Sequence, residues 1–494
     1  MSIQAKILKN TGIQVAGKLV GALFSFWTSA MLLRYLGPAG NGSYTAILAH
    51  LTLFAIVADF GLYIILVKRM ATLTEDHEKD AHALFTLRII SGVLILGLGV
   101  AVAWLVPNYS PLIRYGILIA SSFNFLMSMN QLLSVVFQKF LKANWIAIGE
   151  ISAKLVLVGG IVAVVMLKLS LLWVMATIAV SALCNFIINY AASRKFFKFK
   201  LLVDWQRWKS ILSEAWPLAL NVLFTMVYFK GDSLILFFYR SAEEVGWYGA
   251  PYKLLEVLIT FPAMFVGLTL PLLTAAWQRK DLESLKKGLQ RSFDFLSVIT
   301  LPIVTGGFVL AFPLTMLLGG PEYIPSVPVF RILIFAVGAI YFATLFTYMV
   351  VAVDKQRTMM YGYAAAAVVG LTAYFLLIPR YGMFGAASVT VFTECLILAI
   401  SFWLVKRETQ IRLRLHILFK SIFASVAMGA VVWFLRLAVQ GTMASVWTQD
   451  VTSLPFVVVE VLLLVLLGGS VYLALIVLLR AITPRDLKEL FTST

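Results

Sequence analysis

The sequence carries little charge for its length. Only 13% of the 494 residues are Asp, Glu, Lys or Arg, whereas 61% are hydrophobic, and the mean hydropathy is +0.94. A soluble domain is about half apolar and about a quarter charged. The composition therefore excludes an ordinary water-soluble protein, and we expect lipid to surround most of the folded chain.

Cysteine and nucleotide motifs are equally scarce. The two cysteines, Cys184 and Cys395, both lie inside apolar runs, which excludes a disulfide framework and a paired-thiol metal site. No G-x-x-x-x-G-K-[ST] phosphate loop occurs, so ATP hydrolysis through that motif is excluded. We expect no cofactor, no metal and no catalytic residues, and energy from an ion gradient or from removal of the product.

Long apolar runs are abundant. They are about 20 residues long, which fits membrane helices and not the alternating strands of a membrane barrel. The sequence thus predicts an all-α polytopic membrane protein with about fourteen spans. The runs lie at roughly 11–33, 43–67, 84–106, 112–137, 146–166, 169–190, 214–239, 247–272, 293–318, 328–352, 359–377, 383–404, 417–437 and 454–479.

Basic residues set the predicted orientation. Alternate loops and the two termini hold 27 of the 40 Lys and Arg residues, and the opposite loops hold 4. Because Lys and Arg near span ends stay cytoplasmic, we predict an even number of spans with both termini on the cytoplasmic side of the inner membrane. The net charge of +17 belongs to these loops, and no stretch is long enough for a nucleic-acid-binding domain.

A weak repeat divides the chain. Gly42-Ser43-Tyr44-Thr45-Ala46 opens span two and Gly246-Trp247-Tyr248-Gly249-Ala250 opens span eight, so G-x-Y-x-A recurs at an offset of 204 residues. Six spans separate the copies, which predicts two halves related by an axis along the membrane normal. We divide the chain into an N-lobe (1–190), a basic cytoplasmic linker (191–213), a C-lobe (214–404), and a last pair of spans with a cytoplasmic tail (405–494).

Three stretches resemble the polysaccharide transporter family, the oligosaccharide and O-antigen-type flippases of the multidrug/oligosaccharidyl-lipid/polysaccharide superfamily. They are Leu33-Arg34-Tyr35-Leu36-Gly37-Pro38-Ala39-Gly40-Asn41-Gly42-Ser43-Tyr44 with Asp59-Phe60-Gly61-Leu62, the region from Pro217 through Asp232 to Tyr248, and Ile378-Pro379-Arg380-Tyr381-Gly382-Met383-Phe384-Gly385-Ala386-Ala387.

The resemblance implies two six-helix lobes around a central cavity plus two C-terminal helices. It also implies that the chain flips polyprenyl-pyrophosphate-linked oligosaccharides outward by alternating access, for cell-surface polysaccharide and lipopolysaccharide synthesis. Expected partners are the lipid-linked glycan, membrane lipids, and polysaccharide polymerase or assembly proteins.

Ionisable residues at membrane depth are functional candidates because they are costly there. The lysines Lys18, Lys154, Lys230 and Lys253 could offer an anionic pyrophosphate successive positions, with the carboxylates Asp59, Glu150, Asp232 and Glu256 as charge partners. Alternatively, the carboxylates neutralise the lysines and the pairs only fix helix packing. Both interpretations remain open at this level.

Other candidates concern coupling and motion. Glu394 has no basic residue nearby in its own helix and could couple transport to an ion gradient, or could be a neutral carboxyl bonded to a neighbouring helix. Pro262, Pro302, Gly306 and Gly307 could be hinges, or could simply be tolerated in membrane helices.

Two alternative functions remain. A multidrug and toxin extrusion-like cation antiporter shares the superfamily architecture but needs acidic binding groups, whereas span one offers Lys18 and no carboxylate. A membrane glycosyltransferase or polymerase would need paired carboxylates or a metal on a sizeable outer loop, and the longest such loop, 438–453, holds only Asp450 as an acid. We therefore do not expect an enzyme.

Overall fold

The computed structural model describes residues 3–71, 75–446 and 454–481. These residues form helices joined by turns and short irregular segments, without a strand among them. Contacts divide the chain into two compact units, Met1–Gly249 and Ala250–Thr494.

Eight helices begin in the first unit. They are α1 (Ile3–Asp59), α2 (Leu62–Ala71), α3 (Glu75–Leu105), α4 (Pro111–Lys139), α5 (Ala143–Met166), α6 (Leu171–Ser193), α7 (Trp205–Tyr239) and α8 (Ala242–Leu258), the last of which continues into the second unit.

The second unit contains the remaining helices. They are α9 (Thr260–Gln278), α10 (Leu282–Val309), α11 (Ala311–Gly319), α12 (Ser326–Ala352), α13 (Gln356–Thr409), α14 (His416–Val446) and α15 (Leu454–Leu478), with one turn of 3₁₀ helix at Pro321–Tyr323.

The helix surfaces are those of a membrane protein. Within the described residues, 11 helices are long and apolar enough to cross a bilayer. Large apolar side chains lie on their outer faces, such as Leu94 and Leu466 with exposed fractions of 64% and 70%. A soluble protein would not expose so many, so the predicted all-α polytopic class is confirmed. The count of fourteen spans stays a prediction.

Two long helices each contain a sharp turn at a glycine. α1 turns at Gly37 (φ 63°, ψ 180°) and α13 turns at Gly382 (φ 56°, ψ −133°). Only glycine adopts such positive φ angles at no steric cost. Each turn falls between two predicted spans and is preceded by an Arg-Tyr pair, Arg34-Tyr35 or Arg380-Tyr381, so the resemblance motifs mark span-to-span turns.

The two copies of the G-x-Y-x-A repeat cross each other inside the first unit. A Cβ at Gly42 would lie 1.7 Å from the Ala242 carbonyl oxygen, and a Cβ at Gly246 would lie 1.9 Å from the Pro38 carbonyl oxygen. The two contacts are related by the same offset of 204 residues. Asn41 Nδ2 also donates to the Gly246 carbonyl at 2.9 Å. Glycine thus lets two membrane helices approach to backbone contact.

The basic linker packs on α3 within the first unit. α7 begins within it, and Arg207 donates to Asp76 Oδ1 at 2.8 Å and to Asp80 Oδ1 at 2.7 Å. These hydrogen bonds, first that of Asp76 and then that of Asp80, raise the pKa of the Arg207 guanidinium above its ordinary value. Arg69 Nη2 also forms an ion pair with Glu214 Oε2 of α7 at 2.7 Å.

Substituting Gly42 with alanine should destabilise the fold, because the new methyl would overlap the backbone of α8 and overpacking costs about 1–3 kcal/mol. Gly97→Ala is the matched control, since Gly97 is also helical and an added methyl there would meet nothing within 4 Å. We expect thermal unfolding in detergent to shift down for Gly42→Ala and to stay level or rise for Gly97→Ala. Equal midpoints would contradict the close crossing.

Candidate functional site

The second predicted span is broken within the first unit. α1 ends at Asp59 and α2 begins at Leu62, because Phe60 (φ 46°) and Gly61 (φ 74°) both have left-handed backbone conformations. The Phe60 N–H still donates to the Ile56 carbonyl at 3.1 Å. The backbone carbonyls of α1 that follow Ile56 lose their helical N–H donors. Where lipid excludes water, these carbonyls need donors from elsewhere in the protein.

Arg88 of α3 supplies one such partner. Its Nη1 donates to the Ala58 carbonyl at 3.3 Å, and Ser91 Oγ donates to the same carbonyl at 2.9 Å. Arg88 is 1% exposed, and its guanidinium forms an ion pair with Asp59 Oδ1. This contact is an ion pair rather than an aligned hydrogen bond, and Arg88 Nε has no acceptor among the described residues.

A polar cavity of about 780 Å³ lies beside this break. It is bounded by α1, α3, α4, α5, α6 and α7, all in the first unit. Its polar lining residues are Thr52, Asp59, Arg88, Asn124, Ser128, Asn130, Gln131, Ser134, Gln138, Glu150, Asn185 and Asn189. Carboxamides are thus the commonest polar groups on its wall, and each both donates and accepts hydrogen bonds.

Three of these carboxamides touch each other. Asn189 Nδ2 donates to Asn185 Oδ1 at 2.7 Å and to Asn130 Oδ1 at 3.1 Å, which links α4 to α6. Gly149 of α5 allows the approach, because a Cβ there would lie 2.6 Å from Asn185 Oδ1. Asn189 Oδ1 is buried without a hydrogen-bond donor in the described part of the chain.

A second cavity of about 410 Å³ adjoins the first. Met127, Glu150 and Asn185 line both cavities, so these residues form a shared wall. In the second cavity Lys154 Nζ donates to Ser25 Oγ of α1 at 2.6 Å. Because Glu150 and Lys154 are one helical turn apart on α5, they lie on the same face. The first unit thus holds a polar track from Arg88 past Glu150 to Lys154.

The structure brings only part of the predicted charge set to this track. Lys154, Glu150 and Asp59 line it, and the side chain of Lys18 lies outside the described residues. Lys230 and Asp232 belong to α7 and line neither cavity. The Asp232 carboxylate is fully buried and accepts from the Tyr248 hydroxyl at 2.5 Å, and from Ser233 Oγ at 3.1 Å.

The other predicted charges lie in the second unit. Lys253 and Glu256 are on the part of α8 that belongs to this unit. Glu394 lies in α13 with 4% of its surface exposed and interacts electrostatically with Tyr363 of the same helix. This burial fits both the coupling hypothesis and the alternative of a neutral carboxyl, so the coupling role stays a prediction.

The predicted hinge residues fall into two groups. Pro262 lies in the first turn of α9, immediately after the break between α8 and α9 at Ile259. By contrast, α10 continues without a break through Pro302, Gly306 and Gly307 and ends at Val309. Gly307 packs closely on α12, because a Cβ there would lie 2.8 Å from the Ile334 side chain.

Sequence reasoning missed Arg88 as the partner of Asp59. The sequence predicted Asp59 as a charge partner of the membrane lysines, whereas the structure pairs it with Arg88 of α3. The available signal was an arginine at the fifth position of the apolar run 84–106. The asparagines of α4 and α6 were missed as well, although amides within apolar runs are the same kind of signal.

Removing one member of the buried ion pair should cost more than removing both. Arg88→Gln or Asp59→Asn leaves an uncompensated buried charge, which costs about 3–5 kcal/mol, and the double variant should recover most of that loss. Thermal unfolding in nanodiscs measures the effect. The exposed pair Glu283–Lys287, with side chains 77% and 68% exposed, is the control and should change stability by less than about 1 kcal/mol when both residues become Gln.

Additive effects of Arg88→Gln and Asp59→Asn would contradict this description of the pair, because independent sites add and coupled ones do not.

Solved structures share the fold along most of the chain. A lipid II flippase, MurJ, in an inward closed conformation superposes with a TM-score of 0.75 at 12% identity, covering 93% of this chain and 97% of that one. An inward-facing multidrug resistance MATE transporter of the MOP superfamily gives 0.66 at 12% identity, over 81% of this chain and 98% of the other. A MOP superfamily transporter from Pyrococcus furiosus gives 0.58 at 12% identity, over 82% and 95%.

Sequence comparison identifies a family over more than half of the chain. No curated protein sequence matches it. The family model for polysaccharide biosynthesis proteins, however, matches residues 7–277, which include nearly all of the first unit and both resemblance motifs of that region. The predicted resemblance is thereby confirmed at family level. The chain belongs to the polysaccharide biosynthesis protein family, and its fold is that of the MOP superfamily transporters.

Proposed function

We propose that this protein flips polyprenyl-pyrophosphate-linked oligosaccharides from the cytoplasmic to the outer leaflet by alternating access. The observation that carries the proposal is the polar track of the first unit, where Arg88 and Lys154 lie within apolar helices. Family membership and the fold shared with a lipid II flippase support it. The inner membrane, cytoplasmic termini, and polymerase or assembly partners are part of the same proposal.

The charges on the track suit a transient anionic cargo. Arg88 pairs with Asp59, and Lys154 lies one turn from Glu150, so the charges of the track balance one another. A pyrophosphate could compete with these carboxylates for the cations, and it would also find the unoccupied Arg88 Nε donor. Lys154 bonds a neutral hydroxyl, Ser25, and its point charge imposes no fixed geometry on a moving phosphate.

The amides suit the sugar part of the cargo. Glycan hydroxyls both donate and accept hydrogen bonds, and so do the side chains of Asn124, Gln131 and Gln138 on the larger cavity. Fixed polar groups on a concave wall are the usual means by which a binding site orients its ligand. The cavity therefore offers partners to the head group, while the lipid chain can remain among the membrane-facing helices.

The other predicted residues keep their proposed roles. Lys18, Lys230 and Lys253 would hold the pyrophosphate at other depths, with Asp232 and Glu256 as charge partners. Pro262, at the break between α8 and α9, would allow bending, with Pro302, Gly306 and Gly307 as further candidates. Glu394 would couple flipping to an ion gradient.

A cation antiporter is the second candidate, because MATE transporters share this fold. A cation-binding cavity needs surplus carboxylates, whereas the described track holds two basic and two acidic side chains. This balance favours the anionic cargo.

Neutralising Lys154 should slow flipping strongly. With a fluorescent lipid-linked oligosaccharide in proteoliposomes, we expect Lys154→Gln to lower the initial rate about tenfold, the equivalent of about 1.4 kcal/mol of lost interaction with the phosphate. The matched control is Lys198→Gln, which removes an exposed lysine from the linker. A membrane-impermeant quencher reports which leaflet holds the cargo.

Two results would overturn the proposal. One is wild-type protein that does not move the lipid-linked glycan but exchanges organic cations for protons. The other is a Lys154→Gln variant that flips at the wild-type rate while the control does not differ from it.

The coupling role of Glu394 has its own test. If its protonation drives a step, Glu394→Gln should abolish the acceleration of flipping by a pH gradient while leaving gradient-free flipping largely intact. Cys395→Ser alters the next residue along α13 and is the control. An unchanged gradient dependence in Glu394→Gln would rule out this role.

A further inference from the structure

An aromatic pocket of about 470 Å³ lies in the second unit and shares no lining residue with the polar track of the first. α10, α12, α13 and α14 form its walls. Phe293 contacts Phe342 with ring centroids 5.4 Å apart, and Phe346 contacts Phe402 edge-on at 5.1 Å. Phe402 is 39% exposed, so the pocket opens on the surface of the second unit.

The segment between α13 and α14 covers one end of this pocket. α13 ends where Gln410 adopts a left-handed conformation (φ 56°), and residues 411–413 and 415 line the pocket. Gln290 of α10 holds this segment at two points, accepting from the Arg414 N–H at 2.8 Å and donating to the Arg414 carbonyl at 2.9 Å. The cover is therefore fixed in place.

Two cations stand at the covered end. Lys406 and Arg412 both line the pocket, both are exposed, and neither forms an ion pair within the described residues. The charged residues next to them in sequence, by contrast, have partners. Glu408 pairs with Lys355 at 3.0 Å, and the Arg407 guanidinium lies 5.4 Å from the Trp403 ring centroid. This end belongs to the side predicted to be cytoplasmic, where anionic lipids attract basic residues.

We propose that this pocket binds one anionic glycerophospholipid of the surrounding leaflet. The phosphate would lie between Lys406 and Arg412, and one acyl chain would enter among the phenylalanines. Basic pockets between membrane helices on the cytoplasmic side recognise lipid head groups in this way. A lipid-linked glycan fits less well, because the lining contains no amide or hydroxyl side chain for sugar.

Native mass spectrometry of the detergent-purified full chain tests the proposal. Phosphatidylglycerol and phosphatidylcholine with identical acyl chains are titrated separately. We expect one phosphatidylglycerol to bind at least tenfold more tightly than phosphatidylcholine. Lys406→Gln with Arg412→Gln should weaken it about thirtyfold, since each basic residue contributes about 1 kcal/mol near an anionic lipid surface.

Two further variants distinguish the contribution of the charges to lipid binding from that of the apolar pocket. Arg279→Gln with Lys286→Gln removes the same charge from exposed positions outside the lining, and it should leave binding unchanged. Ala399→Phe places a ring inside the pocket and should weaken phosphatidylglycerol although no charge is lost. Thermal unfolding of each variant shows that it is folded, and the wild-type comparison of the two lipids does not depend on any variant.

Four results would overturn the proposal. The first is equal affinity for the two lipids, and the second is wild-type affinity in the Lys406→Gln, Arg412→Gln protein. The third is displacement of phosphatidylglycerol by a polyprenyl phosphate at a tenfold lower concentration, which would assign the pocket to the substrate carrier. The fourth is competition by inorganic phosphate as strong as that by unlabelled phosphatidylglycerol, which would show that the acyl chain contributes nothing to binding.

Discussion

The break at Phe60–Gly61 sets a requirement that shapes the first unit. Inside a bilayer no water can bond the carbonyls left open where α1 ends, so other helices must supply donors. Arg88 and Ser91 of α3 do so at Ala58, and the charge that Arg88 brings is balanced by Asp59. A buried arginine is costly without a partner, and a broken helix is costly without donors. Each of these two features compensates for the other, and together they place a cation on a cavity wall.

The cavity wall follows the same rule of local compensation. Lys154 bonds Ser25 and lies one turn from Glu150, and the amides of Asn130, Asn185 and Asn189 bond each other. Polar groups thus meet polar partners of the same chain within apolar helices, which stabilises this part of the fold. The same groups can exchange partners with a ligand that carries phosphates and hydroxyls. We infer that stability without cargo and binding of cargo rely on one set of residues.

Sequence alone located the helices well because hydropathy is additive along a run. The predicted spans 112–137, 146–166 and 328–352 correspond closely to α4, α5 and α12. The turns at Gly37 and Gly382 lie in the gaps between predicted spans, since an Arg-Tyr pair followed by glycine interrupts the apolar pattern at each place. The partners of the charged side chains were harder to predict. Asp59 contacts Arg88 only because α1 packs against α3, and residue spacing along the sequence does not specify such packing. The break at Phe60 lay inside an apolar run and left no signal in hydropathy.

Recognition of the pyrophosphate by the cations of the polar track, Arg88 and Lys154, is the step on which the proposed flipping activity depends. Two cargoes can be compared in proteoliposomes containing the wild-type chain. Both carry the same oligosaccharide and the same polyprenyl chain, but one is joined by pyrophosphate and the other by an uncharged linkage. We predict that the protein accelerates movement of the pyrophosphate form at least tenfold over the uncharged form. Equal acceleration of both cargoes would contradict recognition through the cations of the polar track.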